Sequence, residues 1–430
     1  MNKIAKNASW IIACRIVQAV FALIINMLTA RYLGPSNYGL ITYASSIVAF
    51  VIPLMQLGLS NILVQEIVND PEREGTILGT SMLLSFCSSV CCIIGVTAFA
   101  LFANPNEPVT ILVCFLYSLM LIFQALDLIK YWFQAKLLSK YTSIVSLCAY
   151  LAVSLYKIFL LVTAKNVFWF ALSNAFDYAL ISISIIIIYF KLGGQRFSFS
   201  LQLGKELFSR SKHYIFSSMM VTIFAQTDKI MLKHMIDESA TGYYGAAVAC
   251  AGMMSFVFAA IIDSFRPAIF EGRKLSESVF THRLAVLYSI IIYFSLAQSV
   301  VITILSGVII RVIYGTAYAP SARALQIVVW YTTFSYLGSV RNIWILASNL
   351  QKHLWKINLS GALANILLNA VLIPVIGING AALASLITQF FTNVIVGYII
   401  KPIIPNNRIM IDGLNPKYLC EAVRKTLNKK

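Results

Sequence analysis

Charge is what this chain has least of. Asp and Glu total 16 in 430 residues, and all four charged types together make up 11%, against roughly 25% in soluble domains. Histidine occurs four times, as His213, His234, His282 and His353. All four lie near the ends of apolar runs. No H-E-x-x-H and no Cys/His pair at ligand spacing occurs, so no metal centre is expected. No G-x-x-x-x-G-K-[ST] loop is present to cradle ATP phosphates, and no cofactor is expected. The longest polar segment, from Lys191 to Lys212, is too short to hold a polymerase or transferase active site. An enzyme is therefore not expected. Seven of the eight cysteines fall inside apolar runs, with Cys87, Cys91 and Cys92 about one turn apart. That pattern is apolar packing, not a disulfide framework.

What fills the chain is apolar surface. It is 59% hydrophobic, with a mean hydropathy of +0.82. A bilayer core about 30 Å thick takes about 20 apolar residues per helix. Twelve such runs are present, at roughly 8–30, 40–65, 76–103, 109–129, 141–163, 167–190, 213–235, 242–268, 284–309, 321–348, 354–376 and 379–400. They do not alternate as barrel strands do. The first is too long for a signal-peptide core and carries Arg15. The expected fold is an all-α polytopic membrane protein with twelve transmembrane helices.

The net charge of +17 orients the chain rather than pointing to nucleic acid. With both termini in the cytoplasm, most Lys and Arg fall in the N-terminal stub, the inner loops and the tail. Only Arg31, Lys165, Lys233, Arg311 and Arg323 then fall outside. This is the positive-inside distribution. One inner loop, residues 70–74, is acidic instead.

Trp132, Ala135, Leu138 and Lys140 recur as Trp344, Ala347, Leu350 and Lys352, a shift of 212 positions. Tyr38-Gly39 likewise echoes Tyr244-Gly245, and Ala171-Leu172 echoes Ala382-Leu383. The chain reads as a duplication: a lobe over 1–191, a cytoplasmic linker over 192–212, a second lobe over 213–401 and a basic tail over 402–430. Within the tail, 416–428 has the pattern of a surface amphipathic helix, with Tyr418, Leu419, Val423 and Leu427 on one face. Doubled helix sets are a common plan for alternating-access carriers.

A cation near the bilayer centre costs about 2.5–3.5 kcal/mol on insertion scales, so it normally faces water or a partner. On helical wheels Arg15, Gln18 and Asn26 share a face of span one, and Ser143, Ser146, Tyr150, Ser154 and Lys157 share one in span five. Ser218, Thr222 and Lys229 do so in span seven, and Asn358, Asn365 and Asn369 in span eleven. These stripes predict one hydrophilic cleft between the halves. Packing of helix against helix is the competing reading for the small polar residues. Arg266 follows Asp263 by one turn, and Lys130 follows Asp127, so each cation has a local partner at hand. Arg341 sits off the Tyr331, Ser335, Ser339, Asn342 stripe of span ten. The expected substrate contacts are Arg15, Gln18, Asn26, Lys157, Lys229, Arg266, Arg341, Asn365 and Asn369. Asp177 and Asp228 are the ion-coupling candidates.

The stretch T-A-R-Y-L-G-P-S-N-Y-G at 29–39 resembles the first outer loop of bacterial polysaccharide (O-antigen and capsule) flippases. These belong to the multidrug/oligosaccharidyl-lipid/polysaccharide (MOP) exporter superfamily. T-D-K-I-M-L-K at 227–233, then G-Y-Y-G-A-A at 242–247, resembles its span-seven motif. G-I-N-G-A-A-L-A at 377–384 and Pro267 resemble further landmarks. The resemblance implies two pseudo-symmetric six-helix lobes in a MATE-like V around a cationic cavity. It also implies transfer of undecaprenyl-pyrophosphate-linked oligosaccharide from inner to outer leaflet of the bacterial cytoplasmic membrane. Partners would be that lipid-linked cargo, the bilayer, and a polymerase with other assembly proteins. Alternatives are a multidrug/cation antiporter, a peptidoglycan lipid flippase (which resembles fourteen-span chains) and, in another class, a membrane sugar polymerase.

Overall fold

The computed structural model describes the backbone of residues 3–427 and the side chains of residues 17–421, together with Cys14 and Arg424. Every regular element among them is helical. In chain order they are α1 (Lys3–Met55), α2 (Leu63–Asn69), α3 (Glu74–Ala103), α4 (Pro108–Ser118), α5 (Met120–Leu126), α6 (Lys130–Ala135), α7 (Ser139–Val162), α8 (Val167–Lys191) and α9 (Leu201–Met235). There follow α10 (Glu238–Ala251), α11 (Ser255–Leu275), α12 (Glu277–Tyr314), α13 (Ser321–Ala347), α14 (Leu354–Ile376), α15 (Ile378–Phe390), α16 (Val396–Ile399), α17 (Ile404–Asp412) and α18 (Pro416–Leu427).

Nine stretches of the described residues are long and apolar enough to cross a bilayer by themselves. The first, Val17–Met55, contains two spans, because α1 breaks at Gly34 with φ 71 and ψ 173. That conformation is essentially reserved for glycine, and Pro35 follows it. The two remaining spans, α9 and α13, are richer in Ser, Thr, Lys and Arg and so fall below a hydropathy threshold. Spans one to twelve are thus accounted for, and the fold is an all-α polytopic membrane protein.

The duplication is written into the backbone. Leu137 and Asn349, 212 positions apart, both take φ 57. The turn around the first has Lys136 N to Trp132 O at 2.9 Å, Leu138 N to Phe133 O at 2.7 Å and Tyr141 N to Leu138 O at 3.0 Å. The turn around the second repeats it: Ser348 N to Trp344 O at 2.9 Å, Leu350 N to Ile345 O at 2.9 Å and His353 N to Leu350 O at 3.0 Å. One turn type therefore ends spans four and ten, although only four of the nine residues in 132–140 are identical to their counterparts.

The chain forms two compact units, Met1–Ile230 and Met231–Lys430. The first has a core around Tyr43, Phe170 and Leu121 and another around Leu59, Trp132 and Tyr189. The second centres on Phe258, Tyr288 and Trp344.

The start of the segment expected as a cytoplasmic linker is a strap on the first unit. Only residues 192–200 are non-helical. Gln195 accepts from Gly75 N at 3.0 Å through Oε1 and donates to Pro71 O at 3.0 Å through Nε2. Thr80 Oγ1 accepts from Ser200 N at 3.1 Å. Gly75 and Gly79, one turn apart on α3, let the strap's Arg196 and Ser198 carbonyls come close enough that a Cβ at either glycine would collide with them. Ser200 then caps α9 by accepting from Leu203 N at 3.3 Å, and Leu203 and Leu207 enter the core. The acidic loop is explained in the same region. Glu66 pairs with Arg210 at 2.9 Å, Glu74 with Lys136 at 2.9 Å and Asp70 with Arg73 at 3.7 Å. The tail forms α17 and α18. Tyr418 packs on the second core, and the side chains of Val423 and Leu427 lie outside the described residues.

Candidate functional site

Each unit carries a polar cavity among its apolar helices. In the first it holds about 520 Å³ and is lined from α1 (Gln18), the span-four segment (Asp127, Lys130, Tyr131, Gln134), α7 (Ser139, Thr142, Ser143, Ser146) and α8 (Asp177, Tyr178). Span four breaks at Asp127–Ile129 into a single tighter turn, which carries Asp127 and leads into Lys130. Lys130 Nζ donates to Asp127 Oδ2 at 2.6 Å. The two ends of this pair differ in exposure. Asp127 is 5% exposed, while the Lys130 side chain is 37% exposed. The lysine side chain is therefore the more open of the two, anchored by a buried carboxylate.

Asp177 is half-buried and its Oδ1 accepts no hydrogen bond. Lys157, half-buried on α7 three turns beyond Ser146, interacts electrostatically with it. The cavity thus brings together Gln18, Asp177 and the Ser143 and Ser146 end of the span-five stripe, while Lys157 is not among its lining residues. The other end of that stripe turns inward: Ser154 is buried and donates to Tyr150 O at 2.7 Å.

In the second unit a cavity of about 410 Å³ is lined by α11 (Ile262, Asp263, Arg266) and α13 (Ser335, Tyr336, Ser339, Asn342), with Ser255 and Ala259. Arg266 Nη2 meets Asp263 Oδ1 at 2.9 Å, and the Arg266 side chain is 48% exposed. The predicted local pair forms, and it forms on a cavity wall. The 212 shift carries Asp127 onto Ser339 and Lys130 onto Asn342. Equivalent positions on spans four and ten therefore face polar space in both units.

Other expected residues lie elsewhere. Lys229 Nζ donates to Gln226 Oε1 at 2.9 Å, and Ser46 Oγ donates to the same oxygen at 3.3 Å. Asp228 is buried and lines neither cavity. Asn26 is exposed on α1. The side chain of Arg15 lies outside the described residues. Arg341 is 4% exposed and donates through Nη1 to Thr392 O at 2.7 Å. That carbonyl belongs to a π-helical turn, Phe391–Ile395, where widening of the helix frees a carbonyl for an outside donor. Arg341 therefore stitches α13 to span twelve, and it is absent from both cavity walls. Asn365 and Asn369 are fully buried, and Asn369 Nδ2 donates to Asn365 Oδ1 at 3.0 Å. They line neither cavity and pair with each other inside the helices, as the packing reading has it, although the Asn365 Nδ2 group makes no hydrogen bond.

Sequence reasoning paired Asp127 with Lys130 and went no further. It left out Tyr131, Gln134 and Tyr178. The signal was available in the 212 shift, which lays Asp127 and Lys130 over the polar stripe of span ten.

The family model described as "Polysaccharide biosynthesis protein" matches residues 4–273. No curated protein matches. Among solved structures, the fold is similar to lipid II flippase MurJ in an inward closed conformation: TM-score 0.70, 15% identity, covering 94% of this chain and 90% of that one. It is similar to an inward-facing multidrug resistance MATE family transporter of the MOP superfamily: TM-score 0.63, 13% identity, covering 92% and 95%. A eukaryotic MATE transporter matches with TM-score 0.61 and 11% identity, covering 96% and 99%. These likenesses establish the fold, and the family match, spanning more than half of the chain, establishes the rest: the chain belongs to the polysaccharide biosynthesis protein family and has the fold of MOP-superfamily flippases and exporters.

Proposed function

We propose that this protein moves an oligosaccharide linked to undecaprenyl pyrophosphate from the inner to the outer leaflet of the bacterial cytoplasmic membrane, with both termini cytoplasmic. The observation that carries the reading is the solvent-facing cation on each cavity wall, Lys130 in one unit and Arg266 in the other, each held by an acid one turn away. A pyrophosphate head must give up water to cross a low-dielectric layer, and fixed opposite charge offsets that loss. Because Asp127 and Asp263 already neutralise much of each cation, the anion is held weakly enough to leave again. Serine, threonine, tyrosine and amide side chains on each cavity wall suit sugar hydroxyls. Gln18 extends the same surface, and Lys157 acts on it through its electrostatic interaction with Asp177. Lys229, hydrogen-bonded to Gln226, belongs to the support of span seven. Arg341, Asn365 and Asn369 are structural in this reading.

Asp177 is the proposed coupling group, since a carboxylate oxygen with no hydrogen bond beside a wet cavity can take up a proton or a sodium ion. A cation exporter is the competing reading, favoured by the three carboxylates on the two walls; two of those already hold a cation. Polymerase and other assembly proteins are the proposed partners at the outer face.

The test is export in cells that lack the chromosomal copy. Arg266→Ala should reach the membrane at normal levels, Lys130→Gln, which leaves the buried Asp127 without its ion-pair partner, at reduced levels, and both should lose most surface polysaccharide per folded molecule. Normal export from both would remove the cargo assignment. Resistance to cationic drugs that falls in step with Asp177→Asn, with polysaccharide untouched, would transfer the protein to the exporter reading.

A further inference from the structure

A second polar pocket of about 420 Å³ opens at the other end of the first unit. Three connections meet there: the Gly34 kink between spans one and two, the turn before α4, and the turn before α8. All are odd-numbered loops, so they share one side of the membrane. The even-numbered loops gather at the opposite end, where Gln195 binds Gly75 and Lys136 binds Glu74. With cytoplasmic termini, the pocket faces outward.

Its walls are built and not spent. Tyr32 Oη donates to the Lys165 carbonyl at 3.0 Å, which ties the two loops together and fixes the Tyr32 ring. That ring also meets Phe170 at 5.8 Å. Asn37 uses its amide nitrogen on Leu33 O at 3.3 Å, which leaves its carbonyl oxygen for the pocket. Asn166 sits at the N-cap position of α8, where an Asn side chain ordinarily accepts a backbone N–H; here it makes no such bond. Lys165 projects from the same turn, and no acidic residue lines the pocket. Lys165 is also one of few cations on the side that the positive-inside rule disfavours.

We propose that this pocket is an exit-side subsite for the sugar portion of the cargo, taking a pyranose whose acidic substituent meets Lys165. The proposal rests on the flippase reading and adds where the saccharide is received. Two carboxamides match paired hydroxyls on a pyranose, the Tyr32 and Phe168 rings offer apolar faces to its C–H edge, and the ammonium takes the carboxylate. The volume falls in the range of about 300–1,000 Å³ usual for ligand sites. A glycerophosphate headgroup shares the hydroxyls and the negative charge but lacks a ring with an apolar C–H face.

The full chain in detergent micelles, probed by saturation-transfer NMR with glucuronic acid, N-acetylglucosamine and glycerol 3-phosphate, tests this. Both sugars should bind. An Asn37→Ala, Asn166→Ala double variant should weaken both at least tenfold. Lys165→Glu, a change at an exposed side chain that leaves folding intact, should weaken glucuronate at least tenfold and leave N-acetylglucosamine within twofold. Equal sugar binding in wild type and double variant, or binding of glycerol 3-phosphate alone, overturns the proposal. The probes are soluble, so the readout is independent of transport. Sugar binding in a protein that moves no lipid-linked sugar sinks the cargo reading and leaves the pocket, and transport without sugar binding does the reverse.

Discussion

Removing Lys130 should harm the protein more than removing the Asp127–Lys130 pair together. Asp127 is 5% exposed and Lys130 Nζ is its ion-pair partner, at 2.6 Å. Lys130→Met therefore leaves a buried carboxylate without compensation. Breaking a fully buried pair from one side costs about 3–5 kcal/mol. Lys130 is 37% exposed, and solvent already screens its end, so the cost here is about 2–3 kcal/mol. Replacing both as Asp127→Leu, Lys130→Met removes the charge and keeps the volume, which is often close to neutral. The expected coupling is then about 2 kcal/mol, inside the range of about 0.5–3 kcal/mol seen for residues in contact. Thermal unfolding in detergent, followed by size-exclusion fluorescence, measures it: the single variant melts several degrees low and the double variant melts near wild type. Export should stay lost in the double variant, because the Lys130 ammonium is gone. If the two substitutions simply add, or if the double variant exports normally, the assignment of a buried anchor holding a functional cation is wrong.

Three further outcomes follow from particular contacts. Gly75→Ala puts a methyl group against the Arg196 carbonyl. The strap over 192–200 should lift, and limited proteolysis should cut it at least tenfold faster than in wild type. Gly34→Ala meets no neighbour, so its whole cost is backbone strain at φ 71, of order 1–3 kcal/mol, read as a lowered unfolding midpoint. Arg341→Met should reduce folded yield in the membrane, whereas Arg266→Ala should leave yield unchanged and remove export, because the first side chain holds a π-helical carbonyl and the second stands on a cavity wall.

The spans were legible because a bilayer imposes a length, and twelve apolar runs of that length can be counted. The repeat was legible in Trp132 and Trp344, and the paired turns at Leu137 and Asn349 show that it extends to backbone geometry beyond residue identity. The helix wheel placed Gln18, Ser143 and Ser146 on faces that line a polar cavity. Asn365 and Asn369 are buried and bonded to each other instead, since a wheel gives a direction around an axis and not what is packed there. Arg341 is absent from both cavity walls for a related reason: its partner is a carbonyl freed by a π turn, and backbone widening has no residue signature. The docking of residues 192–200 was not read in advance, because polar composition marks a connection without saying what it lies against. The Ser200 cap and the Leu203, Leu207 spacing on α9 were the signs of a docked helix.

The most direct measurement is translocation by the purified protein in proteoliposomes, with undecaprenyl-pyrophosphate-linked sugar supplied on one leaflet and its arrival on the other read by an impermeant sugar oxidase. Wild type should move it, and Lys130→Gln with Arg266→Ala together should slow arrival at least tenfold. Arrival at the wild-type rate in that double variant would contradict the claim that Lys130 and Arg266, each on the cavity of its own unit, carry the anionic head.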